Sequence, residues 1–542
     1  MPIRKVSRNT RLKWTRVGFA IFQATFTYYR LLRKLLLSLP RHFSRHKITM
    51  AMMRIRRAIQ AVISTTTTSR WSDELPEEIM QLILQRLCLP DYLRCGAVCR
   101  SWRAALPVKR CPPVPQLEIP WLMLRSHPFS LKDHYFLSLS DNKTHKSSSF
   151  GSNDYISRRD CVGSIEGWLI MVDSEFWRPE GFLYPWSFCL HALQDYHLKY
   201  PYTTLNFFLN PISGVRVMLP SQSTIPYMYG TRPFFFKKVV ASSLPLLTTS
   251  SWSKSDDHHH RHQITNSSCL VAGLCGEGLY LAFCRPTDKS WTLIEPVLEG
   301  TRFTTLDIEI IDGKLYAANR DAAEFLIVYD LQMLHAEGHA NAGPPGNKYS
   351  GPPQTFVMLH PRPVRSLSSN TTGGVVCVTE KESPRLAKDP TTKELFMILH
   401  NTSFAYEKDP IIPHSLLGHN YVIPPQTKGF RVFKLECNNN GPQWVEVEDL
   451  GGDRILFLSK ASNMLISAAS LSLSYGDYKK RVEGNCICFA FDNPCLASPW
   501  MGRDFGVFSL TNKNIQRFIV PNDHPRTSLF NTQPVWFTPY IE

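Results

Sequence analysis

Apolar positions along the chain follow two different periods. From Trp71 to Leu106, Ile79, Leu82, Ile83 and Leu87 recur at offsets 0, 3, 4 and 8, and Val98, Trp102 and Leu106 at i, i+4 and i+8. That spacing places side chains on one face of a helix. Ser72 or Asp73 can cap the first helix, Glu74, Glu77 and Glu78 suit its positive end, and Pro76 sits where a missing N–H costs least. Leu89-Pro90 breaks the chain and Asp91 can cap a second helix, so the pattern predicts three short helices. A segment of 36 residues falls below the roughly 40 at which a domain sustains its own core, so its apolar stripe needs another surface to meet.

Beyond the Pro-rich breaker Cys111–Pro115 the period changes to two. Arg216–Leu219, Leu279–Phe283, Phe303–Ile311, Leu395–Leu399, Phe430–Leu435 and Ile455–Leu458 are short and rich in branched or aromatic residues, as strands are. NPISG at 210–214, CGEG at 275–278, DGK at 312–314 and NNNG at 438–441 supply turns between them. A turn followed by Leu or Ile and an aromatic recurs as GEGLYLAF (276–283), DGKLYAAN (312–319), TKELFMIL (392–399) and GDRILFLS (452–459), with GWLIMVD (167–173) as a looser copy. Units that cannot bury both faces alone imply a large all-β domain, a β-propeller or stacked sandwich. Irregular spacing leaves the number of blades open. Residues 141–160, 242–268, 335–354 and 361–374 are polar and read as surface loops.

Charge divides the chain differently. The 542 residues carry 61 Lys plus Arg against 45 Asp plus Glu, a net charge of +16. Residues 1–72 hold sixteen basic side chains and no acidic one, which leaves 45 of each sign in 73–542. The excess therefore belongs to a leader, and the body gives no reason to expect nucleic acid as a partner. The longest uncharged apolar run in that leader, Val17–Tyr29, has 13 residues, short of the ~20 a transmembrane helix requires. The leader's Arg-rich, acid-free composition fits a mitochondrial or plastid presequence, clusters such as RIRR at 54–57 fit nuclear import, and the stretch around Phe19–Leu39 fits an anionic lipid surface. Met50, Met52 and Met53 also allow a shorter product.

Candidate chemistry is sparse. Fourteen cysteines include no C-x-x-C pair, and Cys486 and Cys488 alternate along a strand as packed thiols would. The tract Asp256–His262 has metal-binding composition but no fixed ligand spacing, so no metal and no cofactor are expected. Gly273, Gly276 and Gly278 have the wrong spacing for a dinucleotide fingerprint and precede a strand. No nucleophile elbow, zincin motif or Walker sequence is present, so a non-catalytic protein is expected.

The helical segment resembles an F-box, through Trp71, Leu75-Pro76, Ile79, Leu87, Asp91-Tyr92-Leu93-Arg94 and Val98-Cys99-Arg100-Ser101-Trp102-Arg103. GWLIMVD, FFLNPISGVRVMLP (207–220), the stretch from Phe303 through Tyr329, WVEVEDLGGDRILFLS (444–459) and NCICFAFD (485–492) are similar to the C-terminal domain of plant F-box proteins with a KIB-type β-propeller. The resemblance implies a small all-α F-box of three helices followed by the propeller. It implies docking on a Skp-type adaptor, and through it on cullin and RING subunits of a ubiquitin ligase, with a protein substrate held by the propeller. By the family's pattern Leu75, Pro76, Ile79, Leu82, Ile83, Leu93, Val98, Cys99 and Trp102 supply the adaptor contacts or the core beneath them.

The expected organisation is a disordered or helical leader at 1–70, the F-box at 71–110, linker and first strands at 111–159, the propeller at 160–515 and a C-terminal tail at 516–542. Residence in nucleus or cytoplasm follows from that reading. The leader supports an alternative, an organelle-targeted propeller whose F-box is non-functional.

Overall fold

A computed structural model describes Met80, Ile83, Cys95 and Trp102 and, between residues 119 and 539, the strands with most of their tight turns. Two compact units divide the chain, 1–115 and 116–542.

The second unit is a six-bladed β-propeller. Blade 1 contains Val535–Phe537, Trp121–Arg125, His134–Ser138 and Lys143–Lys146. Blade 2 contains Arg159–Ile165, Trp168–Asp173, Asn206–Leu209 and Arg216–Leu219, and blade 3 Phe236–Ala241, Val271–Cys275, Tyr280–Cys284 and Thr292–Ile294. Blade 4 follows with Thr305–Ile311, Lys314–Asn319, Leu326–Asp330 and Gln354–Phe356. Blade 5 has five strands, Ser369–Asn370, Val376–Lys388, Leu395–Glu407, Tyr421–Asn438 and Gly441–Val447. Blade 6 orders Asn463–Ser467, Arg454–Leu458, Cys486–Asp492, Arg503–Ser509 and Ile515–Arg517 across its sheet. Its first two strands form a hairpin, and Arg454–Leu458 then runs parallel to Cys486–Asp492, the one parallel pairing among the described strands.

Turn chemistry explains the tight connections. Asp312 and Gly313 both adopt positive φ, 48° and 77°, as do Glu166 and Gly167 at 43° and 87°. That is the type I′ geometry whose twist suits a two-residue hairpin. At Asn210 the side-chain Oδ1 accepts from the Ile212 N–H at 2.9 Å, and Gly214 closes the loop at φ 74°. The recurring turn-plus-aromatic motif falls on the second strand from the centre in blades 2, 4, 5 and 6 but on the third in blade 3, where Val271–Cys275 takes the second place. This displaced copy is why the repeat spacing looks irregular.

Apolar side chains pack between neighbouring blades. One cluster joins Ile170 and Phe208 to Val271 and Trp291, another joins Leu274 and Phe283 to Ile308 and Ile327, and a third joins Val328 to Met397 and Phe433. Phe396 and Phe430 meet Phe489 and Phe508 between blades 5 and 6, and Leu122 and Trp536 meet Phe457 and Phe505 between blades 1 and 6.

Closure of the ring comes from the chain's end. Val535–Phe537, inside the segment expected to be a tail, pairs antiparallel with Trp121–Met123, so blade 1 mixes strands more than 400 residues apart. Likewise strands Trp121–Arg125 and His134–Ser138 lie ahead of the expected propeller start at 160. Trp536 fixes the seam: its N–H donates to Ser462 Oγ at 2.8 Å, its indole N–H to Leu458 O at 3.1 Å, and its carbonyl accepts from Ser164 Oγ at 2.6 Å and Ser462 Oγ at 2.9 Å.

Three helices ahead of the sheets are not what the structure shows. Within 71–110 helical conformation is described at the single positions Met80, Ile83, Cys95 and Trp102, and no helix of seven or more residues occurs among the described residues. The expectation of a three-helix module is corrected accordingly. Amphipathic spacing is only a propensity: helix nucleation is unfavourable, and a segment of this length gains regular helices chiefly by packing its stripe on a partner.

Trp536→Ala removes a fully buried indole and its hydrogen bond to Leu458 O. It should lower unfolding free energy by about 3–5 kcal/mol, read by urea denaturation of residues 116–542; a loss below about 1 kcal/mol would show that the seam does not hold the ring.

Candidate functional site

Of the nine positions assigned to adaptor binding, Ile83 and Trp102 are described. Leu75, Pro76, Ile79, Leu82, Leu93, Val98 and Cys99 lie outside the described residues. Trp102 is 6% exposed, which makes it part of the apolar core, while Ile83 is half-buried and keeps surface for contact. Two buried residues were not singled out by the pattern, Met80 and Cys95. Met80 lies three residues before Ile83 and Cys95 seven before Trp102, both helical spacings that a stricter count of periodic positions includes.

In the propeller the polar groups converge where the innermost strands of blades 3, 4 and 6 begin. Asp307, fully buried on blade 4, accepts from Lys238 Nζ of blade 3 at 2.6 Å and from its neighbour's Ile308 N–H at 3.0 Å through Oδ1. Through Oδ2 it accepts from the Leu386 N–H of blade 5 at 2.8 Å and from Asn463 Nδ2 of blade 6 at 3.0 Å. Asn463 Nδ2 also donates to Leu386 O at 2.8 Å. A buried carboxylate is tolerated only when such donors replace water, so one side chain obliges four blades to keep their register. Below it Lys388 of blade 5 pairs with Glu309 of blade 4 at 3.1 Å and donates to Ile310 O at 2.9 Å.

A second network joins blades 5 and 6. His400 Nε2 lies 2.8 Å from Thr427 Oγ1, Thr427 donates from Oγ1 to Asp504 Oδ2 at 2.6 Å, and Arg517 pairs with Asp504 and donates to Thr427 O at 2.9 Å. The His400 ring stacks on Phe430 and Phe491, with centroids 5.0 and 4.1 Å away. Burial, with Arg385 and Lys460 adding positive charge nearby, holds its pKa well below the ordinary histidine value. A neutral, stacked imidazole bonded to a hydroxyl that is itself committed to a carboxylate is a packing group rather than a base.

Arg385 stands apart from both networks. It leaves the innermost strand of blade 5 on the same side as Ala387 two residues on, toward blade 6, and its guanidinium lies 6.0 Å from the Phe491 ring centroid. Its buried Nε has no hydrogen-bond partner, and no hydrogen bond or ion pair among the described residues reaches the group. Asp307 is the carboxylate that supports its charge, while desolvation lowers its pKa. No feature of the sequence marked Arg385, because a single Arg in a strand is indistinguishable from a solvated one.

The remaining candidates resolve simply. Burial pushes the Cys161 thiol up to about 12 and raises Cys275 and Cys284 as well, which leaves them without thiolate character. Cys486 and Cys488 are buried at 4% and 0% exposure, in keeping with packed thiols. Gly273 lies in a strand against the Phe236 ring, 2.3 Å from where a Cβ would stand, and Gly278 turns at φ 89° beneath Thr305 O. Both serve close packing. The tract 256–262 lies outside the described residues, and among those described no group of three or more His, Cys, Asp or Glu is placed to hold a metal. No helix among the described residues is long and apolar enough to cross a membrane.

Residues 136–509 match the family described as the KIB1-4 β-propeller, and residues 72–107 match the F-box-like family. The chain belongs to the KIB1-4 β-propeller family. The Arabidopsis thaliana protein named "Putative F-box protein At5g66830" is 22% identical over 475 residues, covering 86% of this chain and 93% of its own. A second Arabidopsis thaliana protein, named "Putative F-box protein At4g22660", is 28% identical over 109 residues, 20% of this chain and 26% of its own. Among solved structures, a chain titled "Bacteroides ovatus Xyloglucan PUL GH43B" matches at TM-score 0.18 and 10% identity over 53% of this chain and 54% of its own, too slight a likeness to bear on the fold. An F-box-like segment joined to a KIB1-4 propeller is the architecture of a plant F-box protein and points to a substrate-adaptor role. It is typical of non-catalytic adaptor subunits, and its F-box implies binding to a Skp-type adaptor.

Because His400 is buried neutral, protonating it opposes folding. The unfolded chain takes up a proton near the ordinary pKa of about 6.5, whereas the folded chain does so only well below it. Stability is therefore full above pH 6.5 and falls as pH drops beneath that value, by at most about 1.4 kcal/mol per pH unit from this group. Chemical denaturation between pH 7.5 and 5 should show that slope reduced in His400→Gln; an unchanged slope would assign the pH dependence elsewhere.

Proposed function

We propose that this KIB1-4 propeller protein is the substrate-recognising subunit of a Skp–cullin–F-box ubiquitin ligase. The observation that carries the reading is the union in one chain of an F-box-like segment, 72–107, and a family propeller, 136–509. A relative carrying an F-box name spans 86% of the chain, which supports reading the two as one functional unit.

In this reading the F-box docks on the Skp adaptor through the apolar positions Leu75, Pro76, Ile79, Leu82, Ile83, Leu93, Val98 and Cys99, over a core that includes Trp102. The adaptor links to cullin and RING subunits, and the propeller holds a target protein. The contribution to the reaction is positioning: a target lysine kept near a ubiquitin-charged enzyme experiences a high effective concentration, without covalent chemistry by this chain. Propellers suit that task, since a rigid ring of blades carries its connecting loops as an adaptable surface. The acid-free leader, 1–72 with its sixteen basic residues, favours a second reading, an organelle-targeted propeller that binds proteins without a working F-box.

Two measurements separate the readings. The full chain should co-purify with a Skp-type adaptor, and Leu75→Ala with Pro76→Ala should reduce that binding about tenfold or more, as loss of a central apolar contact does; absence of binding, or equal binding by the double variant, refutes the ligase assignment. A fluorescent protein fused to residues 1–72 should localise to nucleus or cytoplasm, whereas import into mitochondria or plastids would favour the second reading.

A further inference from the structure

Arg385 is a charged group that no hydrogen bond or ion pair among the described residues reaches. A buried or half-buried guanidinium ordinarily finds a carboxylate, because removing its water without a partner is unfavourable by several kcal/mol. Here Nε is buried and unpartnered, and no described hydrogen bond or ion pair reaches the group. The carboxylate that supports its charge, Asp307, already accepts from Lys238, Ile308, Leu386 and Asn463, which fills the sites of both oxygens. Other carboxylates of this interface are taken as well, Asp504 by Thr427 and Arg517, and Asp389 and Glu394 by Arg454.

Arg385 and Lys460 both bear on His400 as positive charges. His400 is kept neutral and contributes no counter-charge, and the Phe491 ring lies against the guanidinium. Both Arg385 and Lys460 retain part of their surface to solvent, so the place is open from outside. A guanidinium with unfilled N–H donors, held against an aromatic ring, is a receptor for an oxyanion, since its fork matches carboxylate and phosphate oxygens.

We propose that the Arg385 guanidinium, between blades 5 and 6, is the propeller's oxyanion-recognition site and takes a phosphate or carboxylate group carried by the target protein. This rests on the ligase-receptor reading for the identity of the carrier, not for the existence of the site. An anion bound here completes the buried charge and is thereby held more tightly than by exposed lysines.

The test uses the full-length chain and two probes, the N-acetyl amides of phosphoserine and of glutamate, titrated at constant ionic strength against chloride while the thermal-unfolding midpoint is read. Wild type should show a saturable rise with at least one probe, and which one identifies the source of the oxyanion. Arg385→Gln and Arg385→Met should weaken the apparent affinity about tenfold or more, and Lys460→Gln less, as expected for losing a charge-assisted pair. Without probe, Arg385→Met should unfold at a temperature equal to or above wild type, because an unpaired charge has been replaced by an apolar group. No saturable rise with either probe, an equal rise in Arg385→Met, or a lowered midpoint of that variant without probe each overturns the site. Skp-adaptor co-purification, measured on the same samples, should be unchanged by all three substitutions, so failure of the anion site leaves the ligase assignment standing and failure of adaptor binding in wild type leaves the anion result standing.

Discussion

The propeller depends on closing its ring. Apolar clusters join neighbouring blades from 2 round to 1, so a sheet left at an open seam would expose both its face and a row of unpaired backbone groups. Here the seam is closed by three residues, Val535–Phe537, pairing with Trp121–Met123. Trp536 fixes them in place through bonds to Ser462 and Leu458 of blade 6 and Ser164 of blade 2. The indole packs edge-on against Phe457 with ring centroids 5.2 Å apart. Blade 1 is therefore assembled from both ends of the domain, and its two adjacent blades are tied through one residue.

Once the ring is closed, its centre becomes a place where polar groups are either satisfied or costly. Asp307 shows the satisfied case, with donors from blades 3, 5 and 6 replacing the water it has lost. Arg385, one residue from Leu386 and on the opposite side of the same strand, shows the unsatisfied case. The contrast separates the two groups: the first specifies blade register, while the second bonds to none of the described residues.

Much of this was legible in the pattern of residues. Arg216–Leu219 is a strand with the boundaries its alternation indicates, Leu279–Phe283 is displaced by one residue, and Asp312-Gly313 is the hairpin turn its sequence specifies. Local alternation and turn chemistry act over a few residues and so can be read there. The helical segment went the other way. Its period of 3.6 is clear, yet three regular helices are not shown; amphipathic spacing states a preference that packing must complete. Of the site, Trp102 was legible as an apolar stripe position, but its burial was not.

By itself the sequence determined the class of the body, the F-box resemblance of residues 71–106, and the confinement of the net charge of +16 to the first 72 residues. These follow from composition and short-range period, properties that need no knowledge of which segments meet. Only the tertiary structure decided that there are six blades, that the last strand belongs to the first sheet, and that Arg385 lies against Phe491 with Nε unpartnered. Those are consequences of contacts between residues tens to hundreds of positions apart, and the desolvation that makes an arginine's charge costly exists only after the blades have closed around it.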